Sequence, residues 1–386
     1  MKLKALGIFI LSLVLFTSCQ QESEPLSVEP ETQVESIIPG QYIVLLQPDD
    51  KLATSEMSYQ KKLSYVASKA QQMGVSLENI KNLYGSAIQG FAAKLSKEEV
   101  MELKKNKNVR GVYPDMVVSL GFGRGGPVPA EDPSQVIPYG IERVGYGDGT
   151  GKTVWIIDTG VDLDHPDLLV DASKGYDFIN DDPYADDDNG HGSHCAGTVA
   201  ALNNDIGVVG VAAGATIVPV KVLDRRGSGA YSVIIAGVDF VAEHASPGDA
   251  ANMSLGGSAY DPIDEAVYNA SQKGIFFALA AGNEDDDANL YSPARVNGPY
   301  IWTISAMDEN DVWAYFSNYG NPPVDYCMPG VYVYSTYKDG GYETLSGTSM
   351  AAPHMCGVLL MTNGQPKTDG YVIDDPDGTD DPIGHL

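Results

Sequence analysis

Cysteines, basic residues and histidines are scarce in this 386-residue sequence, and each shortage excludes a class of protein. Four cysteines are too few for a small scaffold held together by disulfides. The 24 Lys and Arg residues face 52 Asp and Glu residues. The resulting net charge of −28 argues against nucleic acid as a partner, because phosphates are bound by clustered basic side chains. Six histidines and no His-Glu-x-x-His sequence give little support for a catalytic metal.

Apolar and acidic residues are abundant. Hydrophobic residues make up 43% of the sequence, enough for a sizeable core, and the length predicts two or three folded units. The acidity is concentrated in residues 121–386, which hold 39 Asp and Glu against 11 Lys and Arg. This uneven distribution of charge suggests that the residues before and after position 121 form two segments that are processed differently. The acidity suits either solubility in a salty or extracellular medium or calcium binding.

Residues 1–19 have the pattern of a lipoprotein-type signal peptide. Two early lysines precede an apolar run over residues 6–16, which is too short to span a membrane as a mature helix. The following Phe-Thr-Ser-Cys resembles a bacterial lipobox, with Phe16 where leucine is usual, and predicts lipidation of Cys19. An ordinary secretory signal with an incidental cysteine is the alternative. If Cys19 carries lipid, the other three cysteines allow at most one disulfide.

Two folded units are predicted after this signal. Residues 20–39, rich in Glu, Ser, Pro and Gln, predict a disordered tether. Residues 40–120 predict a small α+β unit, with strands at 42–46, 90–95 and 109–118 and helices at 59–73 and 97–103. Residues 121–137 are rich in Gly and Pro near their start and suit an exposed, cleavable linker.

Residues 138–373 alternate between strand and helix patterns. Buried strands are predicted at 153–157, 216–222, 250–254, 275–280 and 301–306, and helices at 191–202, 231–244, 263–273 and 349–361. This alternation predicts an α/β fold with a mostly parallel central sheet and helices on both faces. Residues 374–386 are predicted to form a peripheral acidic tail.

Three separated residues form a candidate acyl-transfer site. Ser349 opens an apolar helix, whose first turn carries unpaired N–H groups and a partial positive charge. A serine hydroxyl needs a base, which His191 can supply, and Asp158 at the end of a predicted strand can hold that imidazole. A fourth residue, Asn283, follows an apolar strand and can donate to an oxyanion. Taken alone, Asp158 and Asn283 could equally be turn-forming residues.

The motifs around these residues resemble those of subtilisin-like serine proteases, with Cys195 pointing to the proteinase K-type branch. The matching stretches are Asp-Thr-Gly-Val-Asp (158–162), His-Pro-Asp-Leu (165–168), His-Gly-Ser-His-Cys-Ala-Gly-Thr (191–198) and Gly-Thr-Ser-Met-Ala (347–351). The chain order Asp, His, Ser is that of subtilisin, and there is no Gly-x-Ser-x-Gly elbow. Upstream, Gly-Phe-Ala-Ala (90–93) and Val-Tyr-Pro-Asp (112–115) resemble the inhibitory propeptide of the same family.

The resemblance implies a secreted serine endopeptidase of proteins and peptides, made as an autoprocessed zymogen whose propeptide is its intramolecular inhibitor. It also implies a monomer, attached to the membrane only by lipid on Cys19 and released from the bacterial envelope on maturation. The substrate would lie between two edges and a pocket, formed by Gly227, Ser228, Gly229, Ser254, Leu255, Gly256, Ala280, Ala281 and Gly282. Small residues in that pocket imply a broad apolar preference before the scissile bond, although ordinary turn chemistry also explains these glycines.

Structural calcium is the implied cofactor. By resemblance, the carbonyls of Pro299 and Ile301 with the Asp325 carboxylate form one site. The crowded carboxylates of residues 181–188 and 285–287 also predict calcium, with solvated acidic loops as the alternative. Two rival functions remain open. One is a non-catalytic binding protein of the same fold, and the other is a processing protease with narrow specificity.

Overall fold

The structure is a computed structural model that describes residues 36–52, 57–121, 123–124 and 134–386. The predicted signal peptide with Cys19, residues 20–35 of the tether, and residues 122 and 125–133 of the linker lie outside the described residues. Within the described part of the chain, no helix has the length and apolar character needed to cross a membrane.

The N-terminal unit is an antiparallel sheet carrying two helices. Its elements are β1 (Ser36–Leu46), α1 (Tyr59–Gln72), β2 (Ile80–Tyr84), β3 (Gly90–Lys94), α2 (Lys97–Lys105), β4 (Val109–Ser119) and β5 (Gly123–Arg124). The strand order is β4-β1-β3-β2, and the predicted capping box opens α2, with Ser96 and Glu99 bonded reciprocally. Residues 36–39, predicted as the end of the tether, instead begin β1, because their backbone pairs with the end of β4.

The second unit contains the remaining elements. They are α3 (Tyr139–Val144), β6 (Gly147–Asp148), β7 (Thr153–Asp158), β8 (Tyr176–Asp177), α4 (His191–Ala200), β9 (Ala212–Ala213), β10 (Thr216–Lys221), β11 (Ser228–Ala230), α5 (Tyr231–His244), β12 (Ala250–Met253), β13 (Gly257–Ser258), α6 (Asp261–Ser271), β14 (Phe276–Ala280), β15 (Tyr291–Ser292), β16 (Ile301–Met307), β17 (Val324–Pro329), β18 (Val333–Tyr337), β19 (Gly341–Ser346), α7 (Thr348–Thr362), β20 (Lys367–Tyr371) and β21 (Pro382–His385).

A nine-stranded, mostly parallel sheet lies at the centre, in the order β20-β21-β17-β16-β14-β12-β7-β10-β8. Alternate residues of β7 enter different cores, because successive side chains of a strand point to opposite faces. Trp155 and Ile157 pack with α5 and α6, whereas Val154 and Ile156 pack with α4 and α7. The predicted α/β fold with helices on both faces, preceded by a small α+β unit, is confirmed.

The structure corrects the prediction for the C-terminal residues. Residues 374–386 do not form a peripheral tail, because Pro382–His385 is strand β21 of the central sheet. Ile383 is fully buried opposite Cys327, and the buried Asp381 carboxylate accepts a hydrogen bond from Ser305 Oγ at 2.5 Å. The acidic composition concealed a short strand with one buried apolar residue.

Candidate active site

Asp158 and His191 form a buried pair at the carboxyl end of the central sheet. Asp158 is the last residue of β7, and His191 is the first residue of α4. His191 Nδ1 lies 2.8 Å from Asp158 Oδ1 and 3.0 Å from Oδ2. Gly190 precedes the helix with φ 111°, and a Cβ there would collide with the Tyr337 ring, so only glycine fits this approach. The carboxylate can therefore fix the tautomer and orientation of the imidazole.

Ser349 reaches the same region from α7. It is the second residue of that helix, and its Oγ lies 3.2 Å from the carbonyl oxygen of Ser254. The contacts of Cys195, on α4, show that α4 and α7 lie close together at this point. Its Sγ lies within 4.8 Å of ligand atoms of Asp158 and His191, and 3.4 Å from the carbonyl oxygen of Ser349. The fold thus brings together three predicted site residues that are far apart in sequence.

The second histidine of α4 and the cysteines have structural surroundings. His194 Nε2 lies 3.0 Å from the carbonyl oxygen of Val333, and burial lowers the pKa of His194 to about 3. Its ring is therefore neutral and bonded to β18. Cys195, Cys327 and Cys356 are all buried free thiols, and each packs among apolar side chains as a small hydrophobic residue.

Asn283 is held so that its amide N–H₂ faces the cleft. Its Oδ1 accepts hydrogen bonds from Thr348 N at 2.8 Å and from Thr348 Oγ1 at 3.0 Å. Its Nδ2 donates to the carbonyl oxygen of Gly121 at 2.5 Å. The two hydrogen bonds from Thr348 fix Oδ1 at the start of α7. They leave Nδ2 free to donate to the Gly121 carbonyl of the same chain.

The segment that leads to Gly121 enters the cleft in an extended conformation. The end of β4 pairs antiparallel with β11, where Val118 is opposite Gly229 and Ser119 is opposite Ser228. Leu120 N continues this ladder by donating to the Gly227 carbonyl at 2.9 Å. On the other side of Gly121, β5 pairs antiparallel with β19. The predicted edge Gly227, Ser228 and Gly229 therefore binds an extended segment of the same chain.

The other predicted substrate residues line one pocket beside Gly121 and Ser349. The lining includes Ser254, Leu255, Gly256, Gly257, Ala280, Ala281, Gly282, Asn283, Glu284, Tyr291, Ala294 and Thr348. Sequence reasoning missed Glu284 and Tyr291. Glu284 Oε2 accepts from Asn283 N at 2.9 Å and from Asn318 Nδ2 at 2.7 Å, so the carboxylate also braces the Asn283 turn.

The two units are joined by buried polar contacts away from the cleft. Asp239 of α5 accepts hydrogen bonds from three successive backbone N–H groups of the N-terminal unit, those of Gly85, Ser86 and Ala87, at 3.0, 2.7 and 2.6 Å. A second contact has its carboxylate on the N-terminal unit: Asp115 of β4 accepts a hydrogen bond from Ser232 N, near the start of α5, at 3.1 Å. Burial raises the pKa of both carboxyls, which are stabilised as anions only while these donors are in place. No motif or periodicity in the sequence predicts these contacts.

The carboxylates of the first acidic loop are directed at separate protein donors. Asp181 accepts from Tyr176 Oη at 2.7 Å, Asp182 from Tyr184 N at 2.8 Å and Asp186 from Leu163 N at 3.3 Å. Asp188 pairs with Lys221 at 2.7 Å. Among the described residues, the one group of three side chains close enough to share a metal is Asp158, His191 and Cys195. The carboxylates of these loops are thus not gathered around a common centre.

Family comparisons agree with this geometry. Residues 149–370 match the model of the Subtilase family, and residues 41–121 match Peptidase inhibitor I9. The chain belongs to the Subtilase family. The prediction of a subtilisin-like serine endopeptidase with an inhibitory propeptide is therefore confirmed, and this subtilase is a zymogen.

Several known proteins are similar to this subtilase. The alkaline serine exoprotease A of Vibrio alginolyticus is 37% identical over 338 residues, covering 84% of the chain and 60% of that protein. The thermostable alkaline protease of Halalkalibacterium halodurans is 39% identical over 277 residues, covering 70% of the chain and 71% of that protein. The crystal structure of a cold adapted subtilisin-like serine proteinase has a TM-score of 0.57 and 36% identity, covering 64% of the chain and 96% of its own.

Proposed function

We propose that Ser349, His191 and Asp158 are the catalytic triad of this subtilase and that Asn283 stabilises the oxyanion. Two observations support these roles. His191 Nδ1 lies 2.8 Å from Asp158, and the Asn283 amide donates to the carbonyl of Gly121, beside the pocket. The second observation carries the proposal furthest, because it supports Asn283 as the oxyanion donor and the Gly121 carbonyl as the first to react.

The reaction follows from these positions. Ser349 Oγ attacks the carbonyl carbon while His191 Nε2 takes its proton, and Asp158 stabilises the resulting imidazolium. Negative charge develops on the carbonyl oxygen, where Asn283 Nδ2 and the Ser349 N–H donate. The imidazolium then gives its proton to the leaving amine, and the acyl group stays on Ser349. Water, deprotonated by His191, releases the acyl group and restores the serine hydroxyl.

The first substrate is the bond between Gly121 and Phe122 of the chain itself. The Gly121 carbonyl accepts from Asn283 Nδ2 at 2.5 Å, and the residues before it pair with β11 as an extended substrate would. Gly121 brings no side chain into the adjacent pocket. The pairing with β11 and burial of Val118 therefore hold the segment in register.

We expect the mature enzyme to begin at Phe122. N-terminal sequencing and intact mass of the processed protein measure this directly, with an unprocessed Ser349→Ala chain as the control. A mature N-terminus that maps between residues 125 and 137, with no earlier product at Phe122, would contradict the assignment.

The cleaved propeptide stays on the enzyme as its inhibitor. Cutting after Gly121 leaves the pairing of β4 with β11 intact, and the Asp239 contacts lie away from the cut. A salt bridge of 2.6 Å between Lys62 and Glu243 adds an interaction between opposite charges. The cut removes the peptide bond between the propeptide and the enzyme, but it leaves these contacts between them unchanged. Inhibition then ends when the propeptide dissociates or is degraded.

The pocket beside Gly121 supports a broad apolar preference for the residue before the scissile bond. Ala and Gly are the commonest residues in its walls, which also contain the Tyr291 ring and a single carboxylate, Glu284. The carboxylate is engaged by Asn283 N and Asn318 Nδ2, which lowers its availability to a basic substrate side chain. Cleavage-site profiling on a peptide library decides this, and one sharply preferred sequence would favour the dedicated processing protease instead.

A structural calcium ion fits the surroundings of Asp325. This carboxyl accepts one backbone hydrogen bond, from Thr303 N at 2.9 Å, and burial raises its pKa to about 6. A hard cation bound by this carboxylate and the Pro299 and Ile301 carbonyls would favour the ionised form. Its contribution would be to stabilise the fold around β16, with no part in the chemical steps.

We expect calcium to raise the free energy of unfolding by about 2–3 kcal/mol at a hundredfold excess over its dissociation constant. Thermal unfolding in calcium and in a chelator measures the difference. Asp325→Asn should remove most of it, whereas Asp339→Asn, at an exposed carboxylate, should leave it unchanged. Equal calcium stabilisation in Asp325→Asn and the wild type would exclude this site.

Export and lipid attachment are proposed for the precursor. The signal-like first 19 residues support export, and the lipobox-like sequence supports lipid on Cys19. The anchor would then lie on the propeptide side of the cut, and cleavage after Gly121 would release the enzyme from the bacterial envelope. Mass spectrometry of the fragment ending at Gly121 tests this, and an unmodified Cys19 would contradict lipidation.

A further inference from the structure

Asp187 is a buried carboxylate placed between the two elements that carry Asp158 and His191. It is 6% exposed. Its Oδ1 accepts from Thr159 Oγ1 at 2.9 Å, from Asn189 N at 3.0 Å and from Gly190 N at 2.8 Å. Its Oδ2 accepts from Ser193 N at 2.9 Å and Ser193 Oγ at 2.7 Å. Five donors from two separate parts of the chain thus converge on one side chain.

Thr159 connects this carboxylate to Asp158. Its backbone N–H donates to Asp158 Oδ1 at 2.7 Å, and its hydroxyl donates to Asp187. The same hydroxyl accepts from Gly192 N at 2.9 Å, in the first turn of α4. Lys221, at the end of the neighbouring strand β10, donates a hydrogen bond from Nζ to the Thr159 carbonyl at 2.5 Å. Movement of Thr159 would therefore shift the acceptor that orients His191.

The other partners of Asp187 lie at the start of α4. Asn189 and Gly190 directly precede His191, and Ser193 follows it by two residues. A carboxylate that binds the free N–H groups of a first helical turn fixes where the helix begins. Here that start is His191 itself, so the same anion sets the position of the imidazole and of the carboxylate opposite it.

We propose that Asp187 is a positioning residue for the reaction: it ties the Asp158 turn to the start of the His191 helix and holds the pair in its reactive geometry. The proposal rests on the triad assignment above. A displacement of about 1 Å at a reacting group can cost on the order of a hundredfold in rate.

Autoprocessing of the full chain is the appropriate readout, because the substrate is already bound in the cleft. We expect Asp187→Asn to slow cleavage after Gly121 by about 10–100-fold. Peptide hydrolysis by the matured variant should show a lower kcat with little change in KM, because Asp187 does not line the pocket. A helix cap without a role in catalysis would lower the melting temperature and leave both the processing rate and kcat unchanged.

Asp186→Asn is the matched control, since this exposed neighbour accepts one hydrogen bond, from Leu163 N at 3.3 Å. It should process within twofold of the wild type. Should Asp187→Asn fail to fold, Ser193 decides the question: Ser193→Ala should slow processing, and Ser193→Thr, which keeps the hydroxyl, should restore it.

Equal processing rates in wild type, Asp187→Asn and Ser193→Ala would overturn the positioning role. Failure of the triad assignment looks different. In that case a fluorophosphonate would not label Ser349 in the wild-type chain, and Ser349→Ala would still be cut after Gly121.

Discussion

Ser349→Ala is expected to leave the chain uncut at Gly121 and to lower kcat by about 10⁶ once an active protease has removed the propeptide. Alanine removes the only atom proposed to form the acyl bond, while Asp158, His191 and Asn283 keep their places. The side chain is small and lies at a helix start, so folding should be preserved. Intact mass of the purified chain over time and peptide hydrolysis after processing by added enzyme measure the two effects.

Ser173→Ala is a suitable control for this experiment, because it removes an exposed hydroxyl whose described partner is Asp171. It should process and hydrolyse peptide at the wild-type rate. Normal self-cleavage after Gly121 by a homogeneous Ser349→Ala preparation would show that another group is the nucleophile.

Asn283→Ala is expected to lower kcat by about 10²–10³ with little change in KM. Its Nδ2 lies 2.5 Å from the Gly121 carbonyl oxygen, and its other end is fixed by two hydrogen bonds from Thr348. Such a donor is worth most when the oxygen carries negative charge, so its loss should affect the transition state more than substrate binding. Steady-state peptide hydrolysis by the matured variant separates kcat from KM.

The matched control is Asn297→Ala, at an exposed amide that donates to the Arg295 carbonyl at 3.2 Å. Its kinetics should be those of the wild type. A rise in KM with unchanged kcat in Asn283→Ala would make Asn283 a ground-state binding residue and remove its assigned role.

Periodicity located most regular elements because their apolar positions repeat clearly. The helix predicted at 231–244 has those bounds in α5, and the strand predicted at 301–306 is one residue longer in β16. The hairpin of β18 and β19 was missed, since its residues are mostly polar and aromatic and are held by pairing with each other. The strand β21 was missed because its position depends on the distant β17.

Motif spacing identified the candidate triad and Asn283, but the contacts that support them depend on the folded chain. The calcium loop predicted from the sequence includes Asp187, although its carboxylate accepts hydrogen bonds from Thr159 and Ser193. Glu284 and Asp239 act through partners more than thirty residues away in sequence. The Asn-Gly-His sequence directly after Asp187 and Asp188 was a usable local signal, because a carboxylate just before a helix start often binds its N–H groups.

Labelling with a fluorophosphonate, followed by peptide mapping, tests the central role of Ser349 most directly. Matured wild-type enzyme in calcium should carry one label, on Ser349, and His191→Ala, matured by an added protease that is then removed, should be labelled far more slowly. An unlabelled Ser349 in fully processed wild-type protein, or equally fast labelling in His191→Ala, would contradict the account.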